Sequence, residues 1–307
     1  MLKDKLIALY KKIISLNLVM SSLYCFRNEK PRLKIMTPQK TIEYIEKNSC
    51  SIARFGEGEF ELILWSDKNL GFQNRSDELA RRLEGVLKSK NKDLLICVPY
   101  ALNSIWGRTK KSKMFWYYWS ERKNQRRLIT DLIKEYHDAD YVFGDTQISR
   151  PYIAWKSAKN ARNIFPQLMN MWKDKDIIIV EGVKTRLGVG NDLFSDAKSI
   201  KRILCPATNA FDYCDVIREK IEEVREEELV LLALGPTATI LASDLADKNI
   251  RAIDIGHLDI EYEWYLRKAK EHEIVPGKFT NEAEKGNIVD DCQDQWYLSQ
   301  IVARICC

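Results

Sequence analysis

Two carboxylates one residue apart, Glu57 and Glu59, follow the apolar run Ser51-Ile-Ala-Arg-Phe55 and are flanked by Gly56 and Gly58. A strand ending there projects its last side chains into the crevice where open α/β sheets bind ligands, and the glycines let the backbone bend and approach closely. Carboxylate oxygens are the ligands that Mg²⁺ and Mn²⁺ accept. The chemistry expected of this acidic turn is therefore the holding of a hard metal ion, or of a diphosphate-metal complex.

Other strand ends carry polar chemistry too. Residues 182–191 read Gly-Val-Lys-Thr-Arg-Leu-Gly-Val-Gly-Asn, a glycine-punctuated loop with Lys184 and Arg186 in which backbone N–H groups of Gly188, Gly190 and Asn191 could join two cations around a phosphate. No Gly-Lys-Ser/Thr opens a helix there, and G-x-G-x-x-G is absent. Gly235-Pro236-Thr237 suggests a helix start, with Thr237 as cap and free amides facing an anion. In 253–264, His257, Asp259, Glu261 and Glu263 crowd one short segment, and His257 is a candidate metal ligand, phosphate contact or general base.

The elements that must position these residues alternate. Strands are expected over 51–55, 94–98, 141–143, 177–181, 202–205, 229–234 and 251–255, with amphipathic helices over 76–89, 121–137, 153–165, 211–228 and 237–248. Buried strands separated by helices predict an α/β fold, a Rossmann-like mostly parallel sheet with helices on both faces. No linker or repeat divides the chain, so residues 41–307 are expected to form one catalytic domain that ends in a closing helix over 295–307.

The 307 residues are 45% hydrophobic, enough for a large core, and Lys and Arg exceed Asp and Glu by five. That excess permits anionic ligands but is not the footprint of a dedicated nucleic-acid binder. The eight cysteines lack C-x-x-C spacing and several sit in apolar runs, the pattern of reduced cytosolic thiols; with three histidines, a structural zinc site is discounted. Residues 1–40 are read as an N-terminal extension built on a basic amphipathic helix, packed on the domain or a second copy of the chain, or docked on a membrane surface. Its uncharged stretch, 13–26, falls short of the roughly 18 apolar residues of a spanning helix.

Residues 106–127 interleave Arg108, Lys110, Lys111, Lys113, Arg122, Lys123, Arg126 and Arg127 with Phe115, Trp116, Tyr117, Tyr118 and Trp119. Aromatics of this kind stack on sugar faces or on single-stranded bases, or fill a core beneath a solvated face.

Taken in order, Arg54-Phe-Gly-Glu-Gly-Glu-Phe60, the stretch 180–194, Ser199-Ile-Lys-Arg-Ile-Leu-Cys-Pro-Ala-Thr-Asn-Ala-Phe211, Leu234-Gly-Pro-Thr-Ala-Thr239 and 253–264 resemble the bacterial GT-D glycosyltransferases of adhesin glycosylation and surface polysaccharide loci. The resemblance covers about 41–264. It implies a Rossmann-like fold, a UDP-hexose donor (often UDP-glucose) and a Mn²⁺ or Mg²⁺ ion served by an Asp-x-Glu motif that falls on Glu57 and Glu59. This chain has Glu57 where the family usually has Asp, which lengthens the arm by one methylene. His257 and Glu263 match the family's functional His and Glu, so the implied catalytic set is Glu57, Glu59, His257 and Glu263, with Glu57, Glu59 and His257 toward the metal. Donor-binding expectations are Arg54, Gly56, Gly58, Arg150, Tyr152, Lys184, Arg186, Gly188, Gly190, Asn191, Gly235, Pro236 and Thr237. The implied protein is a cytoplasmic hexosyltransferase acting on a glycan, lipid-linked or glycoprotein acceptor. Acceptor recognition is our own expectation for the basic-aromatic strip. The competing expectation is a non-catalytic nucleotide- or polyanion-binding module.

Overall fold

The computed structural model describes residues 5, 6, 9, 32–226 and 228–306, so most of the expected N-terminal helix lies outside the described residues. The strands are β1 (Lys34–Ile35), β2 (Ser51–Arg54), β3 (Leu94–Val98), β4 (Val142–Asp145), β5 (Asp176–Gly182), β6 (Ser199–Cys205), β7 (Leu229–Ala233), β8 (Ala252–Asp254) and β9 (Ile301–Arg304). They form one sheet in the order β1-β4-β3-β2-β8-β7-β5-β6-β9, and every pairing is parallel. Continuous apolar runs such as Ile177-Ile-Ile-Val180 suit such strands, because both of their faces are covered.

The helices are α1 (Pro38–Asn48), α2 (Glu57–Leu64), α3 (Asp77–Leu87), α4 (Lys110–Glu121), α5 (Gln125–Tyr136), α6 (Lys159–Trp172), α7 (Cys214–Val224), α8 (Pro236–Ala246), α9 (Leu258–Leu266) and α10 (Gln295–Ser299). Local chemistry sets their starts. Ser76 accepts the Leu79 N–H to cap α3, and Thr37 caps α1 ahead of a proline at the first turn. The buried side of α3, Leu79, Leu83, Val86 and Leu87, follows the helical repeat onto one sheet face. Side chains of α2, α3, α4, α5, α7 and α8 share that core, and those of α1, α6 and α9 build the one on the opposite face.

Two expected elements differ. The closing segment is a five-residue helix followed by β9, which lies parallel to β6 at the sheet edge; alternating burial along Ile301-Val-Ala-Arg304 is a strand's pattern. The helix expected over 153–165 begins only at Lys159 and runs on through Pro166, because Leu168, Met171 and Trp172 continue its buried face.

β2 and β8 are neighbours at the middle of the sheet, although 251–255 lies far along the chain from 51–55. From β2 the chain moves out through α2 and α3 on one face; from β8 it enters α9 on the other. Connections leaving to opposite faces open a crevice at the strands' carboxyl ends, the place where sheets of this kind bind ligands. Among the described residues, no helix is long and apolar enough to cross a membrane.

Candidate active site

A cleft of about 780 Å³ occupies that crevice. It is lined by Arg54, Gly56, Glu57, Gly58 and Glu59 from the end of β2, by Asp254, Gly256 and His257 from the end of β8, by Gly235 after β7 and by Arg150 after β4. The structure thus brings together Glu57, Glu59, Gly235 and His257, which the strand-end rule selected separately, and Arg150, which the family resemblance implied.

Glu57 and Glu59 are not on a turn but in the first turn of α2, where the helix N-terminus favours negative charge. Gly56 is the N-cap, and Glu59 reaches back so that its Oε2 accepts the Gly56 N–H at 2.8 Å. Glu59 sits half-buried in the cleft floor, and desolvation there pushes its pKa up to about 7, with the backbone N–H bonds pulling the other way and Glu57 adding to the rise. Glu59 is therefore poised to change charge near neutrality.

Arg54 organises the centre. Its Nε donates to Asp254 O and its Nη2 to Asp254 Oδ1, both at 2.7 Å, while Nη1 reaches Thr146 O at 3.3 Å and the Ser149 hydroxyl. Burial raises the Asp254 carboxyl and Arg54 opposes that rise. Gly256 makes this geometry available: at φ +45° it occupies the left-handed region, and a Cβ there would lie 1.9 Å from Arg54 Nη2. Gly256→Ala is accordingly expected to destabilise the fold by about 1–3 kcal/mol in a denaturant titration, through strain and displacement of Arg54.

His257 is the N-cap residue of α9, but its side chain makes no capping hydrogen bond, and its ring packs 5.7 Å, centroid to centroid, from Trp264. Burial drives its pKa down to about 4, so the imidazole is neutral at physiological pH and keeps a lone pair for accepting a proton or binding a cation. Its Nε2 has no hydrogen-bond partner and faces Glu282 Oε2 at 3.6 Å. Glu282 was not found from the sequence. It comes from the polar tail, lines the cleft, and pairs with Arg150 at 2.6 Å. Burial would raise its carboxyl, but Arg150, with His257 and His272, outweighs that and holds it at about 2.

Several expected donor contacts are used inside the protein. Leu187 N donates to Glu181 Oε2 at 2.7 Å, Gly188 N to Asp259 Oδ1 at 2.8 Å, and Asn191 Nδ2 to both Asp259 and Glu263 at 2.8 Å. The glycine loop is an anion cradle, and the chain's own carboxylates occupy it. Arg186 donates to Gly277 O and Asp290 O, fastening the tail, and the Lys184 carbonyl accepts from Phe279 N. Buried Lys278 completes this bracing, 2.6 Å from Asp259 and 3.3 Å from Glu263. Lys184, Arg186, Gly188, Gly190, Asn191, Glu263 and Tyr152 are absent from the cleft wall, where Thr185 and Leu187 represent the loop instead.

Tyr152 serves the site from behind. Its N–H and that of Ile153 donate to Glu261 Oε2 at 2.9 and 3.1 Å, which fixes the loop after Arg150. The expected Thr237 cap also resolves differently: Gly235 is the N-cap, Pro236 begins α8, and both Pro236 and Thr237 are buried away from the cleft. Thr239 instead bonds the Arg54 carbonyl at 2.9 Å.

Among the described residues, no three of His, Cys, Asp and Glu are gathered as a metal cage. Glu57 and Glu59 offer a partial set of oxygen donors at one wall of a cleft with room for a ligand's own oxygens. Mg²⁺-like ions are commonly held in that way, by one or two carboxylates plus substrate phosphates.

The family model described as glycosyltransferase GT-D fold matches residues 52–283. A solved structure described as the highly conserved domain of unknown function 1792, with a distinct glycosyltransferase fold, superposes with a TM-score of 0.82 at 35% identity, covering 94% of this chain and 99% of that one. A second, described as a new glycosyltransferase from Streptococcus sanguinis, gives a TM-score of 0.80 at 32% identity over 89% of this chain and 100% of the other. Among curated proteins, a probable glycosyl transferase Gly of Streptococcus gordonii and glycosyltransferase GlyD of Streptococcus pneumoniae are each 34% identical over 90% of this chain. The chain spans 39% and 33% of their lengths. Sheet order, strand-end site and these likenesses agree: the chain belongs to the GT-D-fold glycosyltransferase family.

Proposed function

We propose that this chain transfers a hexose from a UDP-sugar to a hydroxyl of a saccharide-bearing acceptor, with a divalent ion, Mn²⁺ or Mg²⁺, bound alongside the diphosphate. The observation that carries the reading is the meeting of Glu57 and Glu59 with Arg54, Arg150 and His257 in one cleft at the β2/β8 crevice. Breaking the anomeric C–O bond loads negative charge onto the departing diphosphate, and a site that accelerates this must hold that charge with fixed cations. The ion would supply Lewis acidity there, held by Glu57 and Glu59.

The chain's own groups do the rest. Arg54 is locked by Asp254 and needs no reorganisation to present positive charge to the cleft. Arg150 shares its guanidinium with Glu282 and has further N–H groups for an anion. Neutral His257 faces the same space and can take a proton at a ring nitrogen. Leu70, Phe72, Pro206, Ala207, Ala210 and Leu234 give the cleft an apolar lining that suits a nucleobase and ribose. We place the activity in the cytoplasm, where Cys50, Cys97, Cys205 and Cys214, all buried free thiols, are stable.

Calorimetric titration with UDP tests this without knowledge of the acceptor. UDP is expected to bind at least about tenfold more tightly with Mn²⁺ than with chelator. Equal binding in both conditions would remove the metal from the reading, and no binding in either would remove the donor.

A further inference from the structure

Part of the cleft wall is made by α4 and its surroundings, with Phe115, Tyr118, Trp119, Arg122 and Lys68 lining it. On α4 the usual division of a helix is overturned. Trp116 and Trp119 face inward at 4% and 6% exposure, yet the face turned to the cleft carries further rings, Phe115 at 47% and Tyr118 at 52%. Large rings left in water beside a ligand cleft, one helical turn apart, mark a contact surface rather than a core.

The helix that carries these rings is anchored by its inner side. Phe115 packs edge-on against Trp116 with ring centroids 5.5 Å apart, and Trp116 against Trp119 at 5.3 Å. The Trp119 indole N–H is held by Glu61 Oε1 at 3.0 Å, and Glu61 also pairs with Lys68 at 2.5 Å. The shelf is wired to the reaction centre as well. Arg108 is buried between Trp116 and Trp155, 5.4 and 4.8 Å from their ring centres, and the Trp155 N–H donates to Arg150 O at 3.1 Å. Arg108 and Trp155 thus join the inner face of α4 to the loop that carries Arg150, and both α4 and Arg150 line the same cleft.

Resting on the proposed transfer reaction, we propose that α4 is the acceptor subsite and that it takes a saccharide, whose ring faces stack on Phe115 and Tyr118. The cleft lining then divides by chemistry: nucleoside on the apolar side chains, diphosphate at Glu57, Glu59 and Arg150, acceptor sugar at α4. A pyranose presents weakly positive C–H bonds on one face, and these meet the negative face of an aromatic ring, whereas its hydroxyls stay in water or reach Arg122.

The test uses the full chain on an array of immobilised glucosides, galactosides and N-acetylhexosaminides, in the presence of UDP and Mn²⁺, beside calorimetry with UDP alone. The parent is expected to be retained on a subset of sugars. The double variant Phe115→Ala/Tyr118→Ala should lose about tenfold or more of that retention while binding UDP like the parent. Tyr118→Phe, which keeps the ring, should stay on the array. Parent protein that binds UDP but no sugar overturns the subsite, as does a double variant that is retained undiminished or loses UDP together with sugar. Tight binding of a dT oligonucleotide that the double variant abolishes would reassign the shelf to nucleic acid. If the parent binds neither UDP nor sugar, the transferase reading itself fails.

Discussion

Glu59→Gln is expected to lower sugar transfer by about 10²-fold or more, the scale of losing one charge-stabilising group at a reacting centre. The fold should survive, because the amide oxygen can still accept the Gly56 N–H that Glu59 Oε2 now takes at 2.8 Å. Glu59→Ala removes both the charge and the cap, so it should add about 1 kcal/mol of destabilisation to the same loss of transfer. Comparing the two separates the helix-start role of this carboxylate from its chemical one. Near-parental turnover by Glu59→Gln would remove Glu59 from the reaction.

The pH dependence follows from the same residue. Its pKa is raised to about 7 by desolvation, so as pH falls through 7 the carboxylate takes a proton and ceases to be a cation ligand. Mn²⁺-dependent UDP binding by the parent should weaken below about pH 7, and Glu59→Gln should show a flat, weak profile over that range. Stability runs the opposite way. A carboxyl raised in the folded state favours folding while protonated, and that contribution disappears as pH rises through the folded pKa. Above pH 7, where the parent holds the desolvated charge, Glu59→Gln should therefore be no less stable than the parent.

What was legible in the sequence depended on how local its cause is. The Ile177-Ile-Ile-Val180 run reads as a strand because burial on both faces leaves no polar alternation, and it forms the middle of β5. Strand ends then led to Glu57, Glu59, Gly235 and His257, all of which line the cleft. The glycine loop shows where such reading stops. Its composition does describe an anion cradle, but Asp259, distant in the chain, supplies the anion, and spacing within the loop carries no trace of it. Glu282 was hidden for a related reason: 275–291 has no hydrophobic period, and its place is set by Arg150, Arg186 and Lys278. β9 likewise owes its state to β6, since a short run at a chain end has too few residues to declare a period of its own.

Arg202→Met is expected to cost about 3–5 kcal/mol in urea unfolding, the largest stability effect we anticipate from a single substitution here. Arg202 and Glu181 are both fully buried and meet at 2.6 Å. The remaining donors and acceptors are satisfied: Arg202 Nη2 reaches Leu187 O at 2.9 Å, its Nε reaches Gln300 Oε1 at 2.7 Å, and Glu181 takes the Leu187 N–H and the Tyr297 hydroxyl. Removing the guanidinium strands a carboxylate in the interior and unties the cleft-lining Leu187 from α10 and the chain end. The double variant Glu181→Gln/Arg202→Met should recover roughly half of the loss, since it neutralises the stranded charge and keeps an acceptor for Leu187 N–H. A single-variant loss below about 1 kcal/mol would mean that water or a rearranged side chain replaces the arginine, and that the loop is held by its carboxylates alone. If the loss is as large as expected, UDP affinity measured on the folded fraction should fall with it, because the same pair that holds β5 to β6 also sets the position of Leu187 in the cleft wall.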